Sequence, residues 1–149
     1  MRTAILALSA LLSCAARPAL AQLVSHADAP IRIGHYHLNV TSVEAHKKFW
    51  ADTLGGRAMK FGDIDVIEFP DAFIFLRAQK PTGPTRGTAF DHIGFEIKNL
   101  EAFTKKLEAQ GIKLDRPYTK VPQLGIAIAF IKDPWGTNIE MTEGLADLK

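Results

Sequence analysis

The sequence predicts an α+β domain of two βαβββ modules, whose strands make a curved mixed sheet with the helices outside. Three observations predict it. Two stretches with strand alternation each lead into a helical pattern, and these strand–helix pairs recur at an offset of 56 to 57 residues. Each pair is then followed by further strand-like runs before the chain breaks.

The first strand reads Gly34-His35-Tyr36-His37-Leu38-Asn39-Val40. Tyr36, Leu38 and Val40 share one face, and His35, His37 and Asn39 share the other, as side chains do at period two. Thr41-Ser42-Val43-Glu44 reads as a capping box opening a helix. Val43, His46, Phe49, Trp50 and Leu54 recur at helical spacing, and Gly55 supplies the stop. Strand-like runs follow at 57–61, 64–69 and 72–77. Residues 79–88, rich in Pro, Gly and Thr, read as the linker between modules.

The second module repeats the plan. In Asp91-His92-Ile93-Gly94-Phe95-Glu96-Ile97, Ile93, Phe95 and Ile97 oppose His92, Gly94 and Glu96. Asn99 is placed to cap a helix carried by Leu100, Phe103 and Leu107 and ended at Gly111. Strands are expected around 113–116, 125–132 and 137–142, the last two joined by the turn Asp133-Pro134-Trp135-Gly136. Module one then spans about 31–78 and module two about 89–143. Each first strand carries a histidine on its more polar face.

The chain has 149 residues, a net charge of +2, 47% hydrophobic and 23% charged residues, which fits one globular domain. Residues 1–21 read as a secretory signal peptide. Arg2 makes a positive start, Ala4 to Ala16 is apolar or small, and Ala19-Leu20-Ala21 is a small-x-small cleavage site ahead of Gln22. Cys14, in a faint lipobox-like context, falls inside the leader. Removing 21 residues leaves a domain of 128, residues 22–149, with 16 basic and 16 acidic side chains and no cysteine. The expectation is therefore an exported protein, periplasmic or secreted, with no thiol chemistry of its own. Zero net charge gives no electrostatic reason to expect nucleic acid or, after leader removal, a membrane as partner.

The residues resemble the vicinal oxygen chelate superfamily of glyoxalase, bleomycin-resistance, fosfomycin-resistance and extradiol-dioxygenase proteins. The matching stretches are His35-x-x-Leu38-x-Val40 with Phe49-Trp50 and Leu54-Gly55, then Asp91-His92-Ile93-Gly94-Phe95, then Phe130 to Glu140, together covering Ile31 to Glu143. The resemblance implies that the modules form a cup, and it implies metal ligands at His35, His92 and Glu140. Two neutral imidazoles and one carboxylate suit one divalent ion (Zn, Fe, Mn, Ni or Co) and leave positions open for adjacent substrate oxygens. His37, two residues from His35 and on its face, is the candidate catalytic acid or base.

One departure matters. Glyoxalases of this family add a fourth ligand, a glutamate on the last strand of the first module, and here the alignment puts Phe75 there. Glu68, on the neighbouring strand, is a candidate substitute. Glyoxalase I and one class of fosfomycin transferase also use a cytosolic thiol that an exported protein would scarcely meet. The resemblance thus implies a metal-dependent lyase, isomerase or dioxygenase acting on a small molecule with adjacent oxygens. The alternative is a metal-free binding protein of the bleomycin-sequestering type. Phe73, Phe75 and Trp135 are candidates for a pocket lining or for core, Tyr118 for a loop residue bonding a bound oxygen. Asn39-Val40-Thr41 matches a glycosylation sequon, but its strand position argues against modification. A homodimer is expected, in which His35 of one chain meets His92 and Glu140 of the other. Within one chain His92 and Glu140 should then be neighbours and His35 should stand apart.

Overall fold

A computed structural model describes residues 31–70 and 72–145; the leader expected at 1–21 lies outside them. The elements run β1 (His35–Val40), α1 (Val43–Leu54), β2 (Arg57–Phe61), β3 (Ile64–Phe69), β4 (Ala72–Ala78), β5 (Ile93–Glu96), α2 (Leu100–Ala109), β6 (Arg116–Val121), β7 (Ile126–Lys132) and β8 (Asn138–Glu143). This is βαβββ twice, in two mixed four-stranded sheets ordered β1-β4-β3-β2 and β5-β8-β7-β6. In each, the first strand runs parallel to the last and sits at an edge.

Local chemistry sets the helix ends. The Ser42 side chain accepts from the Ala45 N–H, and Gly55 closes α1 in the left-handed region at φ 76° with its N–H on the Ala51 carbonyl. For α2, Asn99 accepts from the Ala102 N–H. The Glu143 carboxylate, reaching across from the end of β8, takes the N–H groups of Asn99 and Leu100 at 3.0 and 3.1 Å. A carboxylate there satisfies two orphan donors and faces the positive end of the helix dipole.

Strand alternation divides each sheet into two faces. On β1, Leu38 and Val40 are buried with Tyr36 half-buried, while His35, His37 and Asn39 are exposed. The apolar faces and the helices form one core that spans both modules: Trp50, Ile67 and Ile74 from the first pack in the same cluster as Leu100, Leu107, Ile131, Ile139 and Met141 from the second. Trp50, fully buried, lies 6.0 Å ring to ring from Phe95 of β5, and Phe69 of β3 lies 4.9 Å from the same ring. Truncating a buried aromatic of this kind costs about 3–5 kcal/mol.

A polar pair also crosses between the modules. His46 of α1 and Asp133 of the β7–β8 turn are both fully buried, with Nε2 and Oδ2 3.0 Å apart in an approach lying off the hydrogen-bond direction. The His46 ring packs 4.5 Å from that of Trp135. Asp133 Oδ1 accepts from the N–H groups of Trp135 and Thr137, both at 2.9 Å, and so shapes the turn that introduces β8. Trp135, expected in a pocket lining or core, thus lies against His46.

The sixth strand departs from expectation. It occupies Arg116–Val121 rather than 113–116, with an irregular register between Arg116 and Thr119. Pro117 withholds a ladder donor, which only an edge strand or bulge tolerates, and β6 is both. Tyr118 is correspondingly a half-buried strand residue packed against the core, not a loop residue.

Candidate metal centre

The second module brings two of the expected ligands together. Glu140 lies on β8, opposite Gly94 of β5 and Phe130 of β7. His92 immediately precedes β5, and its Nε2 lies 2.9 Å from Glu140 Oε2. Two donors bonded to one ion at about 2.1 Å and near right angles stand about 3 Å apart, so this pair has the separation of adjacent ligands. The other ring nitrogen, Nδ1, lies 2.9 Å from Asp91 Oδ1. Asp91 Oδ2 accepts from the Gly87 N–H at 2.6 Å, and Oδ1 also accepts from Asn138 Nδ2 at 3.3 Å. The Gly87 amide foremost, then His92, hold the Asp91 carboxyl below the usual carboxylate range. The chemistry of this donor set fits a divalent ion: an imidazole and a carboxylate in the first rank, a second carboxylate behind the imidazole.

The first module holds the other expected residues. His35 and His37 are neighbours on the exposed face of β1, ring centroids 5.0 Å apart. Phe75 lies between them and the rest of the sheet, 5.0 Å from His35 and stacked on His37 at 5.1 Å and 25°. Phe61 packs edge-on to Phe75, and Phe61 and Phe73 are exposed. The face of the first module beside His35 is therefore aromatic.

The registers show why Phe75 matters. His37 pairs with Phe75 across β1 and β4, and Gly94 pairs with Glu140 across β5 and β8. The repeat offset carries His35 to His92 and His37 to Gly94, so Phe75 holds in the first module the place Glu140 holds in the second. Glu68, the candidate substitute, lies on β3, two strands from β1, where it pairs with Phe73 and is bound in an ion pair to Arg57.

Among the described residues no group of three His, Cys, Asp or Glu side chains lies close enough to hold one ion. His92 and Glu140 are together, and His35 is not with them. Two contributors went unread as such in the sequence: Asp91, whose only signal was its place directly before His92, and Asn138, two residues before Glu140 on the same face. Beside His37, a groove of about 370 Å³ runs along the free edge of β1, bounded by Thr85, Phe90 and Trp135. No helix among the described residues is long and apolar enough to cross a membrane.

The family model of the Glyoxalase/Bleomycin resistance protein/Dioxygenase superfamily matches residues 32–141. The chain is 25% identical to a lactoylglutathione lyase of Haemophilus influenzae, over 76% of this chain and 93% of that protein. It is 27% identical to a probable lactoylglutathione lyase of Vibrio parahaemolyticus, over 75% and 90% respectively. Among solved structures, the lactoylglutathione lyase of Agrobacterium tumefaciens superposes with a TM-score of 0.60 at 18% identity, covering 78% of this chain and 96% of that one. That likeness is one of fold.

Proposed function

The chain belongs to the Glyoxalase/Bleomycin resistance protein/Dioxygenase superfamily, and from that premise we propose that it is a metal-dependent enzyme acting on a small molecule with adjacent oxygens. Its centre would be shared by two copies of the chain, with His92 and Glu140 from one and His35 from the other. The observation that carries this reading is the 2.9 Å approach of His92 Nε2 to Glu140 Oε2, while His35 stands on another sheet. The second module assembles two of the three ligands and the first carries the third, which a second chain would supply.

In this reading His92 and Glu140 hold the ion by nitrogen and carboxylate oxygen. His37 accepts or returns a proton beside it, being next to His35 on the same open face. When bound, a divalent ion supplies Lewis-acid polarisation of a substrate oxygen. Phe75 cannot ligate, so the first module contributes one ligand instead of two and leaves an additional position open to substrate. That difference argues against simple transfer of the lactoylglutathione lyase activity named for the relatives. The open position lies beside an aromatic face, where an apolar substituent of the substrate would be covered. Export, with the mature chain starting at Gln22, is proposed on the leader pattern alone, and the intact mass of the protein from a Gram-negative host tests it.

Mixing two crippled variants tests the shared centre. His35→Ala and His92→Ala proteins should each bind no metal. Unfolded together and refolded, half the dimers are mixed, and each mixed dimer rebuilds one intact centre, so about a quarter of the wild-type metal content returns. No recovery, with both variants folded and dimeric, overturns the shared centre. Metal retained in His92→Ala overturns the ligand set, and wild-type protein that takes up no metal leaves the metal-free binding protein.

A further inference from the structure

We infer that Asp91 is a positioning residue for His92: it accepts the ring proton on Nδ1 and thereby holds Nε2 toward Glu140 as a ligand. The inference rests on the metal reading of His92 and Glu140 and adds to it a residue outside the expected ligand set.

Three nitrogens converge on the Asp91 carboxylate: the Gly87 amide at 2.6 Å, the His92 Nδ1 at 2.9 Å and the Asn138 amide at 3.3 Å. A backbone N–H only donates, and the Asn138 Nδ2 only donates. Both ring nitrogens face a carboxylate, which only accepts, so the two contacts alone leave the proton on either nitrogen; an ion held between Nε2 and Glu140 would take the Nε2 lone pair and leave the proton on Nδ1, facing Asp91. A neutral imidazole with hydrogen on Nδ1 has its lone pair on Nε2, the nitrogen 2.9 Å from Glu140. With an ion bound, Asp91 would accept that Nδ1 proton and hold the ring from behind, without itself reaching the ion.

The same carboxylate ties the second ligand into place. Asn138 opens β8 two residues before Glu140 and is buried. Its side chain donates to Asp91, and its own N–H donates to Thr85 Oγ1 at 2.8 Å. Asp91 thus links the loop before β5, the His92 ring and the start of the strand that carries Glu140. Alignment of a ligating imidazole by an outer carboxylate typically strengthens metal binding by about 10- to 100-fold.

Asp91→Asn is the informative variant. It keeps the shape but offers one acceptor oxygen and an NH2 where the carboxylate offered two oxygens, so one of the three donors meets another donor. Titration of the metal-free protein with Zn2+ against a competing chelator should show binding weakened about 10- to 100-fold, with Asp91→Ala at least as weak. In the Zn2+-loaded wild type, ring 15N shifts should show His92 protonated on Nδ1 and coordinated through Nε2. In Asp91→Asn the Nδ1 proton should exchange rapidly with water. Zn2+ affinity and His92 shifts both unchanged, with only the melting temperature lowered, would make Asp91 a structural residue and overturn the inference alone. Should His92→Ala itself bind Zn2+ like the wild type, the metal reading falls and this inference with it.

Discussion

Phe75 stands to His35 as Glu140 stands to His92: corresponding strands, corresponding register, an aromatic ring in one module and a carboxylate in the other. In the second module the two side chains approach at 2.9 Å through polar atoms, and in the first the two rings lie 5.0 Å apart. Restoring the symmetry should change the metal chemistry. Phe75→Glu adds a carboxylate ligand and should tighten Zn2+ binding by at least tenfold while closing the position left for substrate. Competition titration measures the affinity, and an unchanged value would show that residue 75 does not face the ion.

His46→Ala should be among the most destabilising single changes in the chain. It leaves Asp133 Oδ2 buried without its partner and opens a space between Trp50 and Trp135. Removing one member of a buried pair costs about 3–5 kcal/mol. Chemical denaturation should show the loss as a lower midpoint, and a shift below 1 kcal/mol would mean that the modules do not depend on the pair.

Stability should also fall in acid through Asp133. Burial alone would raise its pKa, but His46 and the hydrogen bonds from Thr137 outweigh burial and lower it. A carboxyl whose folded pKa lies below its unfolded value adds stability above the unfolded value, about pH 3.9. That contribution is lost as pH falls through the folded value. Melting curves from pH 7 to pH 2.5 should therefore show a component of acid destabilisation below about pH 4 that Asp133→Asn lacks. Parallel profiles for the two proteins would remove Asp133 from the account.

Gly56→Ala tests a close contact rather than a charge. A Cβ at Gly56 would overlap Ile67 Cγ2 and the Phe69 ring, both part of the core where α1 hands over to β2. Overpacking of this kind costs about 1–3 kcal/mol. The neighbouring Gly55→Ala has open space but a φ of 76°, so its cost is backbone strain of about 1 kcal/mol. Thermal melts should rank Gly56→Ala below Gly55→Ala, and the reverse order would contradict the packing argument.

What the sequence disclosed follows from what is periodic or local. The faces of β1, the ends of α1 and the repeat were legible because alternation, Ser42 and Gly55 are local signals. The strand β6 was misplaced because Pro117 and a bulge break its alternation, and only pairing with β7 makes it a strand. His46 read as one more apolar-face residue of a helix, since its partner Asp133 lies 87 positions away. At the candidate centre, residue types pointed to His92 and Glu140, but the donors that converge on Asp91 come from residues 87, 92 and 138 and meet only in the folded chain.

The strand ladders all close inside their own module. The longest-range partners in each, His35 with Phe73 and Ile93 with Ile139, are 38 and 46 residues apart. Loop closure over such spans costs little more entropy than over half the distance. Each module can accordingly nucleate its own sheet as soon as its last strand is available, the first before the second has been synthesised. What remains for the whole chain is a docking step, the burial of Trp50 against Phe95 and of His46 against Asp133. Every strand pairing is thus complete within one module, and only the seam needs both.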